Sequence, residues 1–125
     1  MVTITEDYVS FETAKLLREK GFKGNCIMDY IDNELINVYD YDYPSMYELE
    51  NTEDDVINAP TLQMAMKWLR EACGLIISIE FQAICPTWKW RVYIKASNKK
   101  HTDFQHYNKY EEACEAAIKY CLELI

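Results

Sequence analysis

Glycine is scarce, with three residues in a chain of 125. Gly21 and Gly74 each directly follow a helix-patterned stretch, so only Gly24 is left for a phosphate-binding loop. Neither GxGxxG nor GxxxxGK occurs, which excludes the nucleotide-binding enzymes built on those loops. Long apolar runs are also missing. Stretches such as residues 75–77 fall far short of the roughly 20 residues that a membrane helix needs. The opening MVTITEDYVS carries Glu6 and Asp7 with neither the basic stretch nor the apolar core of a secretory signal, so the expectation is a soluble, unexported, cytoplasmic protein without membrane contact. There is no CxxC pair among Cys26, Cys73, Cys85, Cys114 and Cys121, and an odd number of cysteines cannot all pair within one chain. Cys114 and Cys121 would lie about 10 Å apart along a helix, too far for a disulfide. All five read as reduced thiols, most of them small core residues.

Basic residues are absent from one long window. Between Asp29 and Asp55 the chain has ten acidic residues and no lysine or arginine; elsewhere 11 acidic residues face 13 basic ones. The net charge of -8 is therefore the property of one segment, whose core reads VYDYDYPSMYELENTEDD. Half of all residues are apolar and 14% aromatic, enough to build one domain over residues 1–125 with a real core.

The hydrophobic period marks three helices. In SFETAKLLREKGF, Ser10 is placed to cap, Phe11, Ala14 and Leu17 share a face, and Gly21 stands at the stop, with Phe22 closing back on Leu17. APTLQMAMKWLREACGL repeats the design, with Thr61 as cap, a stripe of Leu62, Ala65, Met66, Leu69 and Cys73, and Gly74 as stop. The third helix, 109–125, is expected to open on an Asn108 cap with Glu111 reaching back. Its stripe is Tyr110, Ala113, Cys114, Ala117, Ile118, Cys121 and Ile125. Between these helices the period falls to two. LIISIEFQ sets Leu75, Ile77, Ile79 and Phe81 against Ser78, Glu80 and Gln82, while WKWRVYIK sets Trp88, Trp90, Val92 and Ile94 against Lys89, Arg91, Tyr93 and Lys95. CIMDYI and LINVYDY, separated by Asp32, Asn33 and Glu34, read as an earlier hairpin.

The resulting order is αββαββα. It implies an α+β domain of two layers, a four-stranded, mainly antiparallel sheet with three helices on one face and its other face open to solvent. Residues 10–43 and 61–96 form a degenerate αββ repeat in this reading. The segments YVSFETAKLLREKGF, APTLQMAMKWLRE and YNKYEEACEAAIKYCLELI resemble recurrent helices of small uncharacterised proteins of bacteriophages and prophages of gut bacteria. The resemblance implies a phage or mobile-element origin and a host cytoplasm. It carries over no catalytic or binding residues.

Three constellations carry chemistry. The acidic window starts like a calcium loop at Asp40 and Asp42, but Pro44 then falls at the fifth position, Ser45 where glycine is required, and Asn51 where a bidentate glutamate is required. No metal and no cofactor are expected. Read as a partner surface, Tyr41, Tyr43 and Tyr47 supply large contact area and Glu53, Asp54 and Asp55 steer a basic protein of host or phage. The plainer reading packs the tyrosines on the second strand and leaves the carboxylates to keep a loop soluble. The opposite surface, Lys89, Arg91, Tyr93 and Lys95 with Lys99 and Lys100, offers single-stranded nucleic acid a stacking and phosphate-neutralising platform, against which stands a pI near 4.7. Meeting the acidic window of a second copy, the same strand would give a salt-sensitive homodimer. Last, His101, Asp103 and His106 in NKKHTDFQH suggest a metal-dependent enzyme, if the fold brings a nucleophile such as Cys85 to them; the plainer reading is a polar surface loop. The expectation is a non-catalytic protein-interaction module acting through the acidic, tyrosine-rich segment.

Overall fold

The structure is a computed structural model that describes residues 3–40, 43–45, 56–103 and 105–125. The described elements are α1 (Phe11–Glu19), β1 (Met28–Ile31), β2 (Glu34–Asn37), β3 (Val56–Asn58), α2 (Leu62–Cys73), β4 (Leu75–Gln82), β5 (Thr87–Ile94), β6 (Lys99–Thr102) and α3 (Tyr110–Leu124). The α+β class is as expected. The single four-stranded sheet is not: there are two antiparallel sheets of three strands each, ordered β2-β1-β3 and β4-β5-β6. Two strands beyond the expected four are present, β3 and β6, and the order becomes αβββαβββα. β3 is only three residues long and forms because Tyr30 and Ile31 offer an edge to Ile57 and Val56. β6, with the sequence KKHT, has no apolar alternation of its own and is held by pairing with β5 from Arg91↔Thr102 to Ile94↔Lys99.

The chain divides into two compact units, residues 8–60 and residues 1–7 with 61–125. In the first, Ser10 caps α1 by accepting from the Thr13 amide at 3.2 Å. The helix stops as expected. Gly21 takes φ 97°, its amide reaches the Arg18 carbonyl at 3.1 Å, and the Phe22 amide reaches Leu17 at 2.9 Å. Only a glycine enters that left-handed region without a Cβ penalty, and the two bonds satisfy carbonyls that the helix end would orphan. The β1–β2 hairpin closes in two residues rather than three, because Asp32 and Asn33 both adopt positive φ (54° and 63°), which frees Glu34 to pair with Ile31. The small core of this unit is Val9, Ala14, Leu17, Phe22, Ile31, Ile57 and Ala59.

The second unit follows the alternation faithfully. β4 and β5 pair in the register Leu75↔Ile94, Ile77↔Val92, Ile79↔Trp90 and Phe81↔Trp88, so the two apolar rows lie side by side on one face. α2 and α3 pack on one another and against this sheet. Thr61 caps α2 by accepting from Met64 at 3.1 Å, and Gly74 ends it at φ 67°. The expected cap of α3 fails: the helix opens from Lys109, with no side-chain cap bond. Its buried stripe is Ala113, Cys114, Ala117, Ile118, Cys121 and Leu122, with Ile125 exposed instead of buried. Lys95, expected on the outer row of β5, lies beyond the strand in the exposed turn that follows.

Ile118 is fully buried, so Ile118→Ala is expected to cost about 2–5 kcal/mol in denaturant unfolding through lost burial and the cavity left behind. At Gly74 an added Cβ would meet only the Lys95 Cβ at 3.7 Å. The cost of Gly74→Ala is therefore the left-handed backbone alone, about 1 kcal/mol.

Candidate functional site

The acidic window is partly outside the described residues, and Tyr41, Tyr47, Glu53, Asp54 and Asp55 all lie there. What is described separates the window into two kinds of carboxylate. Asp29 is buried on β1, with Oδ2 accepting from the Tyr43 hydroxyl at 2.7 Å. Among the described residues no donor reaches Asp29 Oδ1. Burial first, and then the bond and charge of Asp29, push the Tyr43 hydroxyl up to about 12. Tyr43 is thus a tether from the acidic segment to β1, and its hydroxyl faces inward. Burial, with Asp29 second, also raises the Cys26 thiol. By contrast, Asp32 lies in the exposed hairpin turn and Glu34 directly after it, and Asp40 is exposed beside Tyr39, which is 84% accessible.

On the open face of the second sheet, Ser78 stands opposite Arg91, Glu80 opposite Lys89, and Tyr93 opposite Lys100. Glu80 lies 3.3 Å from Arg91 and 4.0 Å from Lys89. Arg91 also donates to the Tyr93 hydroxyl at 3.5 Å, and that bond, then the Glu80 charge, holds the guanidinium still more firmly protonated. Two of the cations proposed for nucleic acid therefore share a carboxylate, which halves the positive charge they present. Tyr93 is 38% exposed, a partial stacking surface.

The histidine segment is pulled apart. His101 is on β6, not in a loop, and sits opposite Val92 on the helix-facing side, where its Nδ1 shares a hydrogen bond with the Tyr120 hydroxyl at 2.7 Å. His106 is exposed and its Nδ1 bonds Thr87 Oγ1 at 2.8 Å. Val92 and Thr87 are five residues apart on β5, about 17 Å at the usual strand rise, so these imidazoles cannot share one ion. Among the described residues no group of three or more His, Cys, Asp or Glu side chains is placed to hold a metal. Cys85 is brought near His106 only through Thr87. That hydroxyl lies 3.8 Å from Cys85 Sγ and donates to the Cys85 carbonyl at 2.9 Å.

Between β5, β6 and α3 runs an open groove of about 450 Å³, lined by Trp90, His101, Asp103, Tyr107, Lys119 and Tyr120 among others. Its polar groups largely serve one another. Tyr107 donates to Asp103 at 2.8 Å, Asp103 also accepts from the Gln105 amide at 3.0 Å, and the Tyr120 ring stacks obliquely on Trp90 with centroids 4.8 Å apart. Burial first, and then the Asp103 bond, raise the Tyr107 hydroxyl, while among the described residues the buried Trp90 indole N–H finds no acceptor. Sequence reasoning missed this groove because its members come from elements that only tertiary pairing brings together; the apolar face shared by Trp90 and Val92 was the one available signal.

No family model matches the chain, and neither a curated protein nor a solved structure is similar to it. No helix among the described residues is long and apolar enough to cross a membrane.

Two measurements follow from the titratable groups. Because the folded value of Tyr43 lies above its ordinary 10, the stability its protonated form contributes is complete below pH 10 and is lost as pH rises towards about 12. In an ultraviolet titration one tyrosine should ionise near pH 12, and Asp29→Asn should bring it down. Thiol labelling should find Cys85, exposed in the β4–β5 turn, reactive in the native protein. Cys114 and Cys121, buried and pushed up to about 11 and about 12, should react only on unfolding.

Proposed function

We propose that the protein is a non-catalytic interaction module whose anionic half engages a basic protein. One observation carries this reading: residues 8–60 hold 12 acidic and 4 basic side chains, a net of -8, whereas the other unit holds 9 of each. The whole net charge of the chain thus belongs to one compact unit. A field of one sign over a small surface steers association with an oppositely charged partner and rejects like-charged ones. Asp32, Glu34 and Asp40 are exposed there, and Tyr39 offers a large, rigid contact surface beside Asp40. Tyr41, Tyr47, Glu53, Asp54 and Asp55 extend the same composition, with Tyr43 as its anchor to Asp29. The resemblance of the helices to phage and prophage proteins supplies the setting, a host cytoplasm in which the partner is a host or phage protein.

Two observations weigh against the alternatives. Glu80 already occupies Lys89 and Arg91 on the face a nucleic acid would use. His101, Asp103 and His106 are each engaged in hydrogen bonds within the fold, and the two imidazoles point to different partners.

The test is affinity capture from host lysate with mass spectrometry, followed by direct binding of the recombinant captured protein. A basic partner is expected, whose affinity falls with salt and drops about tenfold or more, at least 1.4 kcal/mol, when Glu53→Gln, Asp54→Asn and Asp55→Asn are combined. Circular dichroism confirms that the variant folds. Capture that survives both neutralisation and high salt, or the absence of any basic partner, would refute the reading.

A further inference from the structure

Strand β4 lies at the edge of its sheet. Among the described residues its one strand partner is β5, so the other side of its eight-residue backbone offers donors and acceptors outward. Natural sheets guard such edges by keeping the strand short or by placing lysine, proline or a bulge on it. The opposite edge of the same sheet is guarded in this way, since β6 has four residues and two of them are Lys99 and Lys100. β4 reads LIISIEFQ, with no lysine, proline or glycine. Its single charge, Glu80, is already engaged by Arg91 and Lys89 of its own sheet.

The apolar row of β4 is also incompletely covered. Trp90 and Val92 on the neighbouring strand are 5% and 0% exposed, while Ile77 and Ile79 are only half-buried and Phe81 is 52% exposed. Ile76 on the outer row is exposed too. An edge of this length, unguarded and flanked by open apolar side chains, is a template for another strand.

We infer that β4 pairs antiparallel with β4 of a second copy about a two-fold axis at Ser78, joining two three-stranded sheets into one of six strands. The strand is self-complementary in that register. Opposite residues share a face, so Leu75 meets Phe81 and Ile77 meets Ile79 on the helix-facing row, while Ser78 meets its own mate and Ile76 meets Glu80 on the outer row. Charge selects the occupant. The unit bearing β4 holds 9 acidic and 9 basic residues, so the surfaces that meet belong to units with no net charge, and this register keeps the two Glu80 side chains from standing opposite each other. A strongly charged partner would find nothing complementary along this edge. A contact one strand wide falls below the about 1,600 Å² of standard complexes, so the pairing is weak and reversible. Because it is carried by backbone bonds and apolar contact, it persists in salt, unlike a dimer made by charge.

Sedimentation of the full chain over a range of concentrations tests this. The wild type should form a concentration-dependent dimer that salt does not weaken, since added salt only screens the repulsion between two chains of net charge -8. Ser78→Glu places its carboxylate beside Arg91 in its own sheet but opposite an identical carboxylate across the axis, and should weaken the dimer about tenfold or more. Ser78→Lys should do the same, and an equal mixture of the two variants should restore dimerisation. A wild type that stays monomeric at its highest soluble concentration, a dimer that both variants retain, or one that dissolves in salt would overturn the inference. If circular dichroism shows one variant unfolded, retention of the dimer by the other overturns it alone.

Discussion

The apolar rows of β4 and β5 constrain the larger unit more than any other feature. With the register fixed at Ile77↔Val92 and Ile79↔Trp90, a slip by one residue would turn every one of these side chains to the solvent face and bring Arg91 and Lys89 under the helices. Leu69 of α2 and Ile118 and Leu122 of α3 complete the core that this face makes possible. The same constraint places everything else in the unit. It sends Glu80, Lys89, Arg91 and Tyr93 to the open face, and it brings His101 to Tyr120 on the covered one.

Charge follows the division of the chain rather than its surface as a whole. The helix-rich unit is balanced, and its carboxylates and cations meet within the sheet, as at Glu80. The other unit carries the entire net charge on a small core, and Asp29, its one buried carboxylate among the described residues, is held by a tyrosine rather than by a cation. A unit built this way gains little from its own carboxylates, most of which find no basic residue nearby in sequence to neutralise them. That is the physical basis for reading its anionic surface as something directed outward.

Much of this was legible in the sequence where local chemistry decides. Ser10 and Thr61 cap helices because their hydroxyls can accept an amide three residues on, and Gly21 and Gly74 end them because only glycine enters the left-handed region freely. β4 and β5 were plain from alternation. What was not legible depends on distant pairing. Lys99–Thr102 becomes a strand because β5 has a free edge, and Val56–Asn58 because β1 does. Asn108 does not cap α3 because it stands one position too early for a helix that opens from Lys109. As for the candidate site, the charge imbalance could be read from composition, whereas the inward turn of Tyr43 and the separation of His101 from His106 needed the fold.

The central proposal is that the anionic unit, and not the balanced one, engages the basic partner. Amide NMR of the full chain, titrated with a basic protein captured by it from lysate, tests this most directly. The account predicts shifts gathered in residues 8–60, including Asp32, Glu34, Tyr39 and Asp40, with Trp90, His101 and Tyr120 left in place. Shifts confined to β5, β6 and the groove beside α3 would contradict it.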